Sequence, residues 1–100
     1  EVEIARDIQT NLLPRETPEN PNYEFAGFML PAREIGGDYY DFIESPDGTE
    51  TLVAIGDVSG KGIPAGMVMA TARTIIHSIV RKQATLDEIV EELNSYIYDN

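Results

Sequence analysis

The sequence contains no cysteine, which excludes both a disulfide framework and a thiolate metal site. It has a single histidine, His77, in the middle of a helical pattern beside Ile76. With no second histidine or cysteine to share a metal, His77 reads as a core-edge or surface residue rather than a ligand. Ser59 lacks a histidine base placed by the sequence, so a serine nucleophile has no support. Basic residues are scarce, 7 Lys and Arg against 18 Asp and Glu, for a net charge of −11. That balance argues against a nucleic-acid surface, which needs a basic patch. Twelve of the 18 acids fall in residues 1–50, accompanied there only by Arg6, Arg15 and Arg33. A solvated acidic surface accounts for this, and partial neutralisation by bound metal is the sharper alternative. No apolar run approaches the roughly 18 residues of a membrane span, and no signal peptide is visible. The expected setting is soluble and cytoplasmic, with no membrane insertion by this segment. No internal repeat or low-complexity stretch is evident. The chain opens without Met and ends inside a helical pattern, so it is expected to be a piece of a longer protein.

What is present suffices for one small core: 100 residues, 42% of them hydrophobic. The centre of the pattern is residues 36–62. Asp47-Gly48 is a two-residue type I′ turn signal, since both positions of that turn need φ > 0. The flanking runs, residues 39–44 and 51–55, are rich in aromatic and β-branched residues suited to strands. With that turn, cross-strand partners have numbers that sum to 95, and Asp38 faces Asp57. Directly opposed side chains sit about 4.5–5.5 Å apart at Cβ, and like charges there destabilise a sheet. Two carboxylates so placed call for a cation, and oxygen-only ligation points to Mg²⁺ or Mn²⁺. Alternation puts Asp38, Tyr40 and Phe42 on one face with Val53, Ile55 and Asp57. Asp41 falls on the other face with Tyr39 and Ile43, outside the ligand pair. A bulge at Gly36, Gly37 or Gly56 would shift this pairing.

Residues 1–13 carry Ile4, Ala5, Ile8 and Leu12 at helical spacing, and Pro14 ends that helix. Pro14, Pro18 and Pro21 stiffen a linker, so residues 1–22 read as a linker helix and Pro-rich connection, and residues 23–100 as the domain proper. So narrow a stripe must pack on the domain, a partner chain or an upstream segment. Residues 23–30 alternate with both faces apolar, which predicts a strand buried on two sides. Pro64 suits a helix start, and the helix from residue 63 to about 82 buries Ala65, Val68, Met69, Ala72, Ile75, Ile76 and Ile79. Thr85 and Glu88 form a capping-box pattern before a last helix with Leu86, Ile89, Val90, Leu93, Tyr96 and Ile97 on one face. The two helices form an antiparallel pair laid on the sheet, an α+β fold. They cover one face of a sheet that is apolar on both, so a second copy is expected on the other, making a homodimer.

Two further motifs bear on chemistry. Residues 56–62, G-D-V-S-G-K-G, fail as a phosphate loop: three residues rather than four separate Gly56 from Gly60-Lys61, and Gly62 stands where Ser or Thr is needed. The glycines instead let backbone approach an ion closely. Arg33, five residues before Asp38, is a candidate for bidentate phosphate recognition; an ordinary exposed arginine is the alternative.

P-A-R-E-I-G-G-D-Y-Y-D-F followed by I-G-D-V-S-G-K-G-I-P-A-G-M-V-M-A resembles the metal-dependent protein phosphatases, the protein phosphatase 2C superfamily. The nearer likeness is to the bacterial branch named for the stage II sporulation phosphatase, which includes sigma-factor-regulating phosphatases. A-R-D-I-Q-T-N-L-L-P resembles the helix that often precedes such domains. The resemblance implies a four-layer α-β-β-α sandwich with a two-metal site holding Mn²⁺ or Mg²⁺. It implies that Asp57 bridges the two ions, that the Val58 backbone carbonyl binds one, and that Asp38 coordinates directly or through water. It further implies hydrolysis of phosphoserine or phosphothreonine on a phosphoprotein such as an anti-sigma-factor antagonist. An upstream sensory or receiver domain is implied too. The family supplies further aspartates from strands beyond this segment, so these 100 residues alone are expected to be inactive. The alternative reading is a non-catalytic phosphatase-like sensing or dimerisation module.

Overall fold

A computed structural model describes residues 7, 10–29 and 36–99. Its centre is an antiparallel hairpin of β1 (Gly36–Glu44) and β2 (Thr51–Lys61). Helices α1 (Ile63–Val80) and α2 (Leu86–Asp99) follow. The class is α+β, as expected.

From Asp38↔Asp57 to Glu44↔Thr51 the pairs follow the expected register. The turn differs. Of its two central residues Gly48 alone has positive φ, at 74°. The Gly48 amide donates to the Ser45 carbonyl at 2.9 Å, and the Ser45 amide to the Glu50 carbonyl at 2.9 Å. The loop is therefore a four-residue connection, 46–49, built on a turn around Pro46-Asp47. Asp47 holds it, its Oδ1 accepting from the Ser45 hydroxyl at 2.7 Å, the Thr49 hydroxyl at 2.8 Å and the Thr49 amide at 3.1 Å. Those bonds, the Ser45 one foremost, lower the Asp47 carboxyl to about 2. Both loop lengths are centred on the same point between residues 47 and 48, which is why the register survives the change of turn.

Tyr39, Asp41 and Ile43 of β1 share one sheet face, with Leu52, Ala54 and Val58 of β2. Helix α1 lies on it through Met69, Ala72, Ile76 and Val80, and Ile89 of α2 completes this core. Of the stripe expected to be buried, Val68, Ile75 and Ile79 are only half-buried. Helix α2 packs mainly on α1 rather than on the sheet, leaving Leu86 and Val90 exposed. The capping box forms: the Glu88 amide donates to the Thr85 hydroxyl at 3.2 Å, and the Thr85 amide to Glu88 Oε1 at 3.0 Å. These two bonds, the backbone one first, lower the Glu88 carboxyl.

Three expectations are corrected. Residues 23–29 form no strand; they lie over the sheet face instead, with the Phe25 ring 5.4 Å from that of Phe42. Apolar alternation supplied faces to bury, but the segment takes no place on a sheet edge, where strand hydrogen bonds are made. Second, α1 is 18 residues long with a mean hydropathy of 1.3, long and apolar enough by those measures to cross a membrane. Its apolar residues are interrupted by Thr71, Arg73, Thr74, His77 and Ser78, so it contains no unbroken apolar run of that length. In the structure it is the helix packed on the hairpin. Third, the hairpin turn is not the two-residue type.

Of the linker helix, Asp7 and residues 10–12 are helical, while Ile4, Ala5 and Ile8 lie outside the described residues. Leu13 packs against the core, and Arg73 Nε of α1 donates to the Leu12 carbonyl at 2.9 Å. The end of the linker helix thus packs on its own domain.

Candidate functional site

Asp38 and Asp57 are direct partners across the ladder, and both are exposed. The bulge feared at the glycines does occur, between Gly36 and Asp38, but beyond the acidic pair. It brings Gly37 onto the backbone of residue 58: a Cβ at Gly37 would lie 2.3 Å from the Val58 carbonyl oxygen. Of the groups expected to act as ligands, the carboxylates of Asp38 and Asp57 are thus paired at one end of the hairpin, and the Val58 carbonyl belongs to the residue that follows Asp57. Alanine at position 37 must displace backbone rather than a side chain. Gly37→Ala is expected to cost about 2 kcal/mol, read from the urea unfolding midpoint. An unchanged midpoint would show that the bulge has room.

The pair opens onto a groove of about 590 Å³ lined by residues 26–29, Tyr40, Phe42, Val53 and Ile55 as well as the two acids. Among the described residues no Lys, Arg or His lines it. That donor set fits a hard divalent ion as part of its shell. It is not a whole shell: the described residues hold no group of three or more His, Cys, Asp or Glu able to take a metal. Arg33, the candidate for the phosphate, lies outside the described residues.

Asp41 is on the opposite face, as the register required, and it is deeply buried, 3% exposed. Burying a carboxylate is costly unless it is fully hydrogen-bonded. Here the Phe42 amide donates to Oδ1 at 2.9 Å and the Tyr39 hydroxyl donates to Oδ2. His77 Nε2 of α1 stands 2.6 Å from the same Oδ2. Burial first, and then the bond to Asp41, push the Tyr39 hydroxyl far above the usual tyrosine range. This Tyr39–Asp41–His77 cluster was missed from sequence. The signal was available: a carboxylate amid Tyr39 and Ile43 on the core face demands a partner, and one histidine lies on the helix that covers that face.

An α+β hairpin-and-helix unit with an acidic pair at one sheet end is the class these features define. Residues 47–100 match the family Stage II sporulation protein E (SpoIIE), and the chain belongs to that family. It is 30% identical over its whole length to Phosphoserine phosphatase RsbU of Bacillus subtilis (strain 168), covering 29% of that protein. It is also 32% identical over 94 residues, 94% of the chain, to Protein IcfG of Synechocystis sp. (strain ATCC 27184 / PCC 6803 / Kazusa), covering 15% of it. The chain thus spans less than a third of either relative. No solved structure matches it.

Proposed function

We propose that this chain is part of a metal-dependent phosphatase that hydrolyses phosphoserine or phosphothreonine on a regulatory protein, such as an anti-sigma-factor antagonist, in bacterial signalling. The observation that carries this reading is the direct opposition of Asp38 and Asp57 across the hairpin. Membership of the SpoIIE family and similarity to a phosphoserine phosphatase along the full chain support it.

In this reading Asp57, Asp38 and the Val58 carbonyl would be this chain's contribution to holding two Mn²⁺ or Mg²⁺ ions. Such ions, when bound, supply a water of lowered pKa and positive charge for the phosphoryl oxygens. The chain's own residues hold and orient: the carboxylates fix charge at one sheet end, and the lack of a Cβ at Gly37 leaves room for the Val58 carbonyl. Arg33 is the proposed contact to the substrate phosphate. The remaining ligands come from outside the described residues. The proposal includes an upstream sensory or receiver domain and a cytoplasmic setting. It also includes a homodimer, for which Val53 and Ile55, 51% and 85% exposed on the groove face, offer apolar surface.

The test is turnover of a phosphoserine peptide by the full-length protein with Mn²⁺, before and after EDTA. Release of phosphate that stops on chelation and returns with Mn²⁺ is expected. A folded protein with no Mn²⁺-dependent turnover would favour the non-catalytic module instead.

A further inference from the structure

Among the described residues Asp41 is the one buried charged side chain, and the proposed metal chemistry makes no use of it. It lies three residues from Asp38 on the same strand and points the other way. Its partners connect it to the acidic pair by a short path. Tyr39, which donates to Asp41 Oδ2, pairs across the ladder with Gly56. Tyr39↔Gly56 is the rung next to Asp38↔Asp57. At Gly56 a Cβ would lie 2.9 Å from the terminal methyl of Met69 and 3.7 Å from the Tyr39 ring, so ring and helix close over this rung. The Tyr39 ring is therefore wedged beneath the backbone that carries both carboxylates. Its hydroxyl is anchored to Asp41, and Asp41 to His77 on α1.

We propose that His77 is a positioning residue for the Asp38–Asp57 pair, acting through Asp41 and Tyr39. This rests on the metal-site reading above. His77 touches neither metal nor substrate in this scheme. It supplies the donor that holds Asp41 Oδ2 toward α1, which fixes the Tyr39 ring and the strand spacing one rung from the carboxylates. The hydrogen bonds tie β1 to α1 at one point, so the spacing of the acidic pair depends on how the helix sits. Supporting groups behind a metal site commonly change its affinity by about 10–100-fold when removed.

The experiment is Mn²⁺ titration calorimetry on the full-length protein, with circular dichroism confirming the fold of each variant. His77→Leu is expected to weaken Mn²⁺ binding about tenfold. His77→Gln, which keeps an N–H at a similar reach, is expected to stay within about twofold of the parent. A purely structural role would lower the thermal midpoint of His77→Leu but leave Mn²⁺ affinity unchanged, and that result overturns the proposal. Tyr39→Phe keeps the ring and removes its anchor. It is expected to weaken binding in the same direction, and it decides the matter if His77→Leu does not fold. Asp57→Asn runs in the same series. If it loses Mn²⁺ while His77→Leu and Tyr39→Phe bind normally, the positioning role fails and the metal site stands. If Asp57→Asn also binds normally, the metal site itself fails.

Discussion

Asp57→Asn in the full-length protein is expected to lower phosphatase turnover by about a thousandfold or more. The amide keeps the shape of the side chain and removes the charge proposed to bridge two cations. The fold should be untouched, because Asp57 is exposed and surface substitutions usually stay within about 0.5 kcal/mol. The sign is informative as well. Asp57 faces Asp38 directly, so without metal the variant loses a like-charge repulsion. It should unfold at the same temperature as the metal-free parent or slightly above it, while failing to gain the stabilisation that Mn²⁺ gives the parent. Turnover of p-nitrophenyl phosphate with Mn²⁺, beside thermal unfolding with and without the ion, checks both halves. Near-normal turnover would contradict the assignment.

The largest stability effect is expected at Asp41. Asp41→Ala should cost about 3 kcal/mol, read from urea unfolding. It strands a buried tyrosine hydroxyl and removes the acceptor of His77, and each lost buried partner costs about 1–3 kcal/mol. Asp41→Asn keeps an acceptor and the volume and should be milder. It should also change the Mn²⁺ dependence of activity far less than Asp38→Asn, since Asp38 faces the acidic groove and Asp41 the helix. An Asp41→Ala variant as stable as the parent would mean the buried cluster contributes nothing net.

What could be read from the residues was what local periodicity dictates. Strand alternation and the position of Asp47-Gly48 placed Asp38 opposite Asp57, because pairing parity depends on where a hairpin turn is centred more than on its type. The Thr85–Glu88 capping box was legible for the same reason: both partners lie within one helical turn. Residues 23–29 were misread because alternation reports which faces are apolar, not whether a strand edge is available to pair with. The Asp41–His77 contact spans 36 positions in sequence. Periodicity put Asp41 on the face opposite Asp38 and Asp57, but only the docking of α1 shows that this is the core face and which residue meets it. Asp47 misled in a different way. An Asp-Gly pair satisfies a type I′ turn, yet Pro46 before it and three donors to the Asp47 carboxylate favour a longer loop.

The central claim is that the acidic end of the hairpin is a divalent-metal site. It is tested most directly by titrating Mn²⁺ into the full-length parent protein and into its Asp38→Asn and Asp57→Asn variants. The parent should bind Mn²⁺, each of the two variants should lose most of that binding, and all three should remain folded. Folded Asp38→Asn and Asp57→Asn variants that bind Mn²⁺ as tightly as the parent would contradict it.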